Sequence, residues 1–314
     1  MGNQFSQAFP PKPKFTETAL PDLKGKVYIV TGASAGVGKE LARLLYSKNA
    51  TVYLAARSEP NTTKAISWIK QAHPSSTGTL KYMHIDLSDL ASIKPAVTSF
   101  LASEQRLDVL FNNAGVMVPP QGSTTAQGYE LQLGTNCVGP FLLTKLLLPL
   151  LTATAAKEAT GAVRVVWVSS SAATLLAPKG GLDLNNLGYE KDQSKGVKYA
   201  QSKAGNVLHA VEMARRVQGT GVRSISLNPG NLASDLQRHL NAIQGFLVGL
   251  MVYAPVNGAY TELFAGLAPE AAVLKDDEWV IPFGRVGKLR KDLVEGGNAG
   301  KFWEWSEEQV RGFV

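Results

Sequence analysis

A single doubly wound α/β domain, a parallel sheet of about seven strands flanked by helices, is the fold this sequence predicts. Three observations carry it. Short runs that are apolar at nearly every residue recur along the chain, longer amphipathic stretches separate them, and a glycine-rich turn follows the first run. Strands of that kind are covered on both faces, and helical connections between them make the sheet parallel. Right-handed crossovers then place helices on both sides.

The elements follow in order. Residues 1–22 hold Pro10, Pro11 and Pro13, which disfavour helix, so a flexible N-terminal tail is expected ahead of one domain over 23–314. VYIV (27–30) is the first buried strand, and a helix is expected from about Val37 to Ser47. TVYLAA (51–56) and LKYMHI (80–85) supply the second and third strands. A helix near 88–104 leads to the fourth, DVLFN (108–112). Long helical segments near 126–154 and 198–218 flank the fifth, VRVVWV (163–168), and VRSISL (222–227) is the sixth. EWVIP (278–282) closes the series. Neither an internal repeat nor a linker divides the chain.

Composition narrows the classes. Of 314 residues 45% are apolar, enough for a sizeable core and too many for a disordered chain. Cys137 is the single cysteine, so neither an internal disulfide nor a cysteine-rich metal site can form, and a reduced, cytoplasmic setting is expected. His73, His84, His209 and His239 lack metal-ligand spacing, and no metal is expected. The net charge of +7 comes from scattered lysines and arginines rather than a run, so nucleic acid is not an expected partner. No stretch reaches the roughly 18 to 20 uninterrupted apolar residues of a spanning helix, since Pro140–Leu151 is short and carries Lys145. The chain opens Met1-Gly2-Asn3-Gln4-Phe5-Ser6, which fits the pattern for myristoylation of Gly2. Acylated there, the protein would associate weakly with a membrane surface.

The turn after the first strand reads Thr31-Gly32-Ala33-Ser34-Ala35-Gly36-Val37-Gly38. Three glycines between a buried strand and a helix allow a tight bend, close approach of backbone to a pyrophosphate, and close helix–strand packing. The helix N-terminus then offers free N–H groups to phosphates. The spacing is GxxxGxG rather than GxGxxG, and its position makes it a dinucleotide-binding turn of Rossmann type. An NAD site usually places an acid at the end of the second strand, to hold the ribose 2′-hydroxyl. Here Leu54-Ala55-Ala56 runs into Arg57, whose guanidinium suits a 2′-phosphate, so NADP(H) is expected over NAD(H).

Tyr199 and Lys203 stand four apart in YAQSK on an expected helix and so share one face. That spacing alone is weak evidence. Its company matters more: Ser169-Ser170-Ser171 ends a buried strand about thirty residues earlier, at the sheet edge where such folds bind ligands, though serines there also serve ordinary turns. Hydride transfer to a carbonyl leaves negative charge on oxygen, which needs a proton and a donor. A free tyrosine, with a pKa of about 10, is poorly matched to neutral pH, and a nearby ammonium such as Lys203 would lower it. A hydroxyl such as Ser170 can donate to the carbonyl oxygen.

Taken together these motifs resemble the short-chain dehydrogenase/reductases, in the branch carrying TGxxxGxG and YxxxK. In order they are residues 31–38, Asp86-Leu87, Asn112-Asn113-Ala114-Gly115, Ser170, Tyr199–Lys203 and Asn228-Pro229-Gly230, spanning about residues 24 to 285. The resemblance implies that Tyr199 is the acid/base, that Lys203 binds the nicotinamide ribose and lowers the tyrosine pKa, and that Ser170 orients the carbonyl. It implies that Asn136, in Thr135-Asn136-Cys137-Val138-Gly139, holds a water relaying protons to Lys203. It assigns cofactor contacts to Gly32, Ser34, Gly36, Val37 and Gly38 in the turn, and to Arg57, Asp86 (at the adenine) and Leu87. Asn113, Ala114 and Gly115 follow, then Pro229, Gly230 and Ser234. The flanks Leu54–Arg57, Asp183-Leu184-Asn185 and Lys301–Trp305 look most like retinol-dehydrogenase-like and fungal reductases. Ser234 replaces the family's usual threonine, and Ala35 stands where some NADP-preferring members have a base. The N-terminal apolar anchor common in membrane-bound retinol enzymes is not seen, which argues against retinol itself.

A lid over the substrate is expected at about 231–254, where Phe246–Val252 forms an apolar run bracketed by glycines. A small apolar ketone, aldehyde or alcohol would suit it, touched by Ser170, Met117, Phe246 and Met251. An ordinary core-packing helix or a subunit interface would read the same way. The expected activity is an NADP(H)-dependent dehydrogenase or reductase. The competing possibility is an NADP-binding regulator without turnover, against which the complete set Asn136, Ser170, Tyr199 and Lys203 argues.

Overall fold

A computed structural model of the chain describes residues 2–232 and 252–314. Its centre is one eight-stranded sheet in the order β3-β2-β1-β4-β5-β6-β7-β8. The strands are β1 Val27–Thr31, β2 Thr51–Ala56, β3 Thr79–His84, β4 Val109–Asn112, β5 Val163–Val168, β6 Val222–Leu227, β7 Glu278–Ile281 and β8 Arg285–Lys288. β1 to β7 pair in parallel, as expected. β8 is the departure: it turns back antiparallel to β7, so EWVIP is not the last strand. Its sequence RVGK lacks an apolar run because it forms an edge, with Val286 42% exposed.

Both faces of the sheet are covered, and the strands show it residue by residue. In β1, Tyr28 and Val30 enter one apolar cluster while Val27 and Ile29 enter another. Helix α1 spans Gly2–Ala8, at the N-terminus. Helices α2 (Gly36–Tyr46) and α3 (Glu59–Ala72) lie in the first layer. Helices α4 (Ile93–Ser103), α5 (Leu131–Ala155) and α6 (Lys195–Arg216) build the second. Helix α7 (Pro255–Leu267) returns to the first, and α8 (Asn298–Val310) packs on α6. The sequence leaves 57–79 unassigned. α3 buries only Thr62, Ala65 and Ile69, too narrow a stripe to be read.

Two expectations change. The N-terminal segment is docked, not a loose tail: α1 buries Gln7, a 3₁₀ turn spans Glu17–Ala19, and the Phe15 ring meets Phe264 edge-on at 5.9 Å. The three prolines separate those two turns instead of abolishing both. Helix α5, inside the helical segment expected near 126–154, is also apolar over more than Pro140–Leu151: it runs 25 residues, and its most apolar window has a mean hydropathy of 1.6. Among the described residues it is the one helix long and apolar enough to cross a membrane, yet 61% of its most apolar window is buried inside the fold. Lys145 in its middle pairs with Glu307 of α8.

The sheet switches direction between β1 and β4, which are neighbours although β2 and β3 intervene in sequence. The ends of those strands therefore border a crevice, the usual ligand position in this architecture.

Packing against α5 yields a test. A Cβ at Gly139 would run into the carbonyl oxygen of Leu87, with Leu87 Cβ only 3.0 Å away. Helix propensity favours Gly→Ala by about 1 kcal/mol, but overpacking costs typically 1–3 kcal/mol. Gly139→Ala should therefore lower the melting temperature by a few degrees. Gly300→Ala in α8, whose Cβ would meet nothing nearer than 3.8 Å, should leave it unchanged or raise it. Thermal melts of the pair check the prediction.

Candidate active site

At the switch point one hydroxyl ties two strands together. Thr31 Oγ1, at the end of β1, donates to the carbonyl of Phe111 in β4 (3.1 Å) and accepts from the N–H of Ala114 (2.9 Å). Asn113 Nδ2 returns a bond to the Thr31 carbonyl at 2.7 Å. The turn then leaves β1 through Gly32 at φ +69° and enters α2 through Gly36 at φ +54°, values that favour glycine. A Cβ on Gly38 would sit 2.5 Å from Asn113 Nδ2 and 2.9 Å from the Gly32 carbonyl oxygen. No side chain caps α2, since Ala35 occupies the N-cap, and its first-turn N–H groups face outward as an anion cradle would require. Ser34 lies on this turn, and Val37 packs on the first-layer core.

Arg57 and Asp86 stand just past the ends of β2 and β3. The guanidinium is 67% exposed and lies 4.0 Å from the Asp86 carboxylate, a loose contact. Asp86 Oδ1 accepts from the N–H (2.9 Å) and hydroxyl (2.6 Å) of Ser88. Leu87 is buried in the second-layer core, so a cofactor contact there would have to come from its backbone.

The chemical end is organised by α6. Ser194 caps it by accepting from the Val197 N–H, and Arg215 and Arg216 end it where the helix dipole favours cations. Its face toward β5 is bonded at three points. Lys203 Nζ donates to the Val168 carbonyl (2.9 Å), Asn206 Nδ2 donates to the same oxygen (3.0 Å), and Ser169 Oγ donates to the Lys203 carbonyl (2.7 Å). These bonds hold Ser170 beside Tyr199, which lies one turn before Lys203.

Burial pushes the Tyr199 phenol up from its ordinary value of 10, and a hydrogen bond from Ser170 is what opposes the rise. Lys203 lies one helical turn further on. Its Nζ is 6.0 Å from the Tyr199 ring centroid, is engaged by Val168, and is itself pushed down to about 8 by burial.

Asn136 sits in a π turn, Gly134–Val138, within α5. Its side chain acts as a clamp. Oδ1 accepts from the Val116 N–H (2.8 Å), while Nδ2 donates to the Val116 carbonyl (3.0 Å) and to Ser202 Oγ (2.9 Å). Ser202 in turn donates to the Tyr199 carbonyl at 2.8 Å. Four residues on is Pro140, which has no N–H, so the Asn136 carbonyl lacks its α-helical donor. Gly115 joins the halves: its Cβ would lie 3.2 Å from both Asn136 Oδ1 and Lys203 Nζ.

Pro229 and Gly230 follow β6 in a turn with Gly230 at φ +100°. Met117 is partly buried in the run beside Asn136, next to Val118 at φ +51°. Ser234, Phe246 and Met251 lie outside the described residues. The motifs Asp183-Leu184-Asn185 and Lys301 line one surface recess together with Gln201. Among the described residues no cluster of three His, Cys, Asp or Glu side chains could hold a metal ion. His209 is a core residue, bonded to Ser306 Oγ (2.9 Å) and stacked on Phe302.

Two polar residues escaped the sequence. Gln132 is fully buried, and its Oε1 accepts the Val118 N–H at 2.9 Å while Nε2 donates to the Lys195 carbonyl at the start of α6 (3.2 Å). Glu262 on α7 is fully buried, and among the described residues neither carboxyl oxygen has a hydrogen-bond partner. Burial pushes its pKa up to about 8, against the pull of Lys203. The only signal was an acid inside the otherwise apolar stretch LFAGL and its neighbours.

A model of the short chain dehydrogenase family matches residues 26–181. A short-chain dehydrogenase/reductase from Phomopsis amygdali is 53% identical over 326 aligned positions, covering 99% of this chain and 97% of that protein. Among solved structures, an uncharacterized protein from Mycobacterium paratuberculosis superposes with a TM-score of 0.71 at 28% identity, covering 94% of this chain and 97% of the other. A Pseudomonas aeruginosa RhlG/NADP active-site complex superposes at 0.65 and 22% identity, over 85% and 96%. That last likeness speaks to the fold.

Glu262 generates a pH prediction. A carboxyl whose folded pKa is about 8, against 4.5 ordinarily, favours folding most below 4.5 and loses that contribution as pH rises toward 8. Glu262→Gln removes the titration. Thermal melts from pH 5 to 8 should show the wild type falling steadily relative to the variant. A constant difference would mean that the carboxyl ionises normally.

Proposed function

The chain belongs to the short-chain dehydrogenase family of oxidoreductases, and from that premise we propose that it moves a hydride between NADP(H) and the carbonyl or alcohol group of a small apolar substrate. The observation that carries this reading is the meeting of Ser170, Tyr199, Lys203 and Asn136 at the ends of β4 and β5, beside an uncapped helix N-terminus with a glycine cradle. The residues fit a dinucleotide: Gly38 leaves no room for a Cβ, and Gly32 and Gly36 hold left-handed conformations at the turn. When bound, the nicotinamide supplies or accepts the hydride.

The protein's own groups manage the oxygen and its proton. Ser170 Oγ accepts the Ala172 N–H at 3.2 Å, and the single proton it offers Tyr199 can turn to a carbonyl oxygen when substrate enters. Tyr199, held as the neutral phenol by burial, is in the form that donates a proton to the developing alkoxide. In the oxidative direction the same oxygen takes that proton back. Lys203 brings an ammonium beneath the site, and the Asn136 carbonyl, free of its helical donor, is an acceptor for a proton-carrying water.

Arg57 supports NADP(H) as the partner. No acid stands at the end of β2, and the exposed guanidinium is restrained only by the 4.0 Å contact with Asp86. The apolar class of the substrate rests on Val116 and Met117 beside Asn136 and on the apolar run at 246–252.

Two measurements test the reading. NADPH consumption with a panel of apolar ketones and aldehydes should fall about 10²- to 10⁴-fold in Tyr199→Phe, the range general acid catalysis contributes, with NADPH binding retained. Arg57→Ala should weaken NADPH about 10- to 100-fold, as loss of a charge-assisted bond does, while NADH is unaffected. Equal losses for the two cofactors would refute the 2′-phosphate assignment.

A further inference from the structure

The N-terminal helix touches the active-site framework at one point that no step above uses. Gln7 on α1 is 9% exposed, and its Oε1 accepts a hydrogen bond from Asn228 Nδ2 at 2.9 Å, across 221 residues of sequence. The other end of the same Asn228 amide accepts the Gly230 N–H at 3.1 Å. The Asn228 backbone N–H is anchored on the Val280 carbonyl at 2.9 Å. One buried amide, 2% exposed, thus has its donor end read by Gln7 and its acceptor end read by the Pro229-Gly230 turn.

An amide has two unlike ends, and only one orientation serves here. Flipped, it would set its NH₂ group against the Gly230 N–H, donor on donor. The acceptor supplied by Gln7 selects the productive orientation. Without it the buried NH₂ loses its partner, and the flipped and unflipped states come closer in energy. The turn is closely packed there: at φ +100°, a Cβ added to Gly230 would lie 2.9 Å from the Phe283 ring. The turn is also the root of the segment that follows. Tyr253 N–H donates to the Asn231 carbonyl at 2.8 Å, and Leu232 bridges to Tyr253. A second tie holds the helix in place: Arg285, on β8, donates to the Ser6 carbonyl at 2.7 Å.

We propose that α1 is a positioning element of the active site: through Gln7 it sets the Asn228 amide, and through that amide the Pro229-Gly230 turn at the cofactor and the root of the 231–254 segment. Gln7 is then a positioning residue that acts on cofactor and substrate binding. This inference rests on the reading of the cleft as an NADP(H) site.

The test uses the full chain and NADPH as the probe, with binding followed by nicotinamide fluorescence. Gln7→Leu keeps the size and removes the acceptor, and it should raise the NADPH dissociation constant about 3- to 10-fold, the loss of one hydrogen bond. Gln7→Glu keeps an acceptor oxygen and should stay close to wild type. In an Asn228→Ala background the effect of Gln7→Leu should vanish, because the two residues act as one unit. A merely structural role would instead lower the melting temperature equally in both backgrounds and leave NADPH affinity alone. Wild-type affinity in Gln7→Leu overturns the proposal. So does a Gln7→Glu variant as weak as Gln7→Leu. A wild-type protein that binds neither NADPH nor NADH would sink the cofactor reading itself, and the proposal with it.

Discussion

A lysine ammonium buried beneath the edge of a sheet needs a fixed acceptor, because an unpaired buried charge costs several kcal/mol. In this chain the acceptor is the carbonyl of Val168, the last residue of β5, and Asn206 shares it. Ser169 closes a bond from the next residue of the strand onto the Lys203 carbonyl. Helix α6 therefore cannot slide along the sheet without exposing Lys203 to an apolar wall. The position of Tyr199, one helical turn earlier, follows from that constraint, as does the reach of Ser202 toward Asn136. The same arrangement buries the tyrosine phenol, which pushes its pKa up, and sets Ser170 beside it to oppose the rise.

A second seam makes the cleft continuous. Thr31 and Asn113 bind the ends of β1 and β4 together, and the chain runs on from Asn113 through Gly115 into contact with both Asn136 and Lys203. The glycine turn and the tyrosine helix, on opposite sides of the sheet, are thereby tied through four residues. Small side chains at 38 and 115 are required for that closeness. Either Cβ would fall within about 3 Å of a group that the site uses.

Much of this was legible in the sequence because the signals are local. β2 and β5 fall where their apolar runs lie, since a strand buried on both faces must be apolar at nearly every residue. The glycine turn was legible for the same reason: left-handed φ at 32 and 36 is a property of the chain itself. Edge and surface elements were not. β8 and α3 bury too little to carry a pattern, and the N-terminal segment reads as a tail because three prolines disfavour helix while its one buried glutamine leaves no local signal.

The sequence by itself determined the alternation of strand and helix, the glycine-rich strand-to-helix turn, and the face shared by Tyr199 and Lys203. Each of these depends on residues within a few positions of one another. Only the tertiary structure decided what surrounds them. It buried Lys203 against Val168, turned the Asn136 side chain into a clamp, left the buried Glu262 carboxyl with no hydrogen-bond partner among the described residues, and docked α1 on Asn228. Those outcomes depend on desolvation and on bonds between residues tens to hundreds of positions apart. Such terms have no value until the chain has folded.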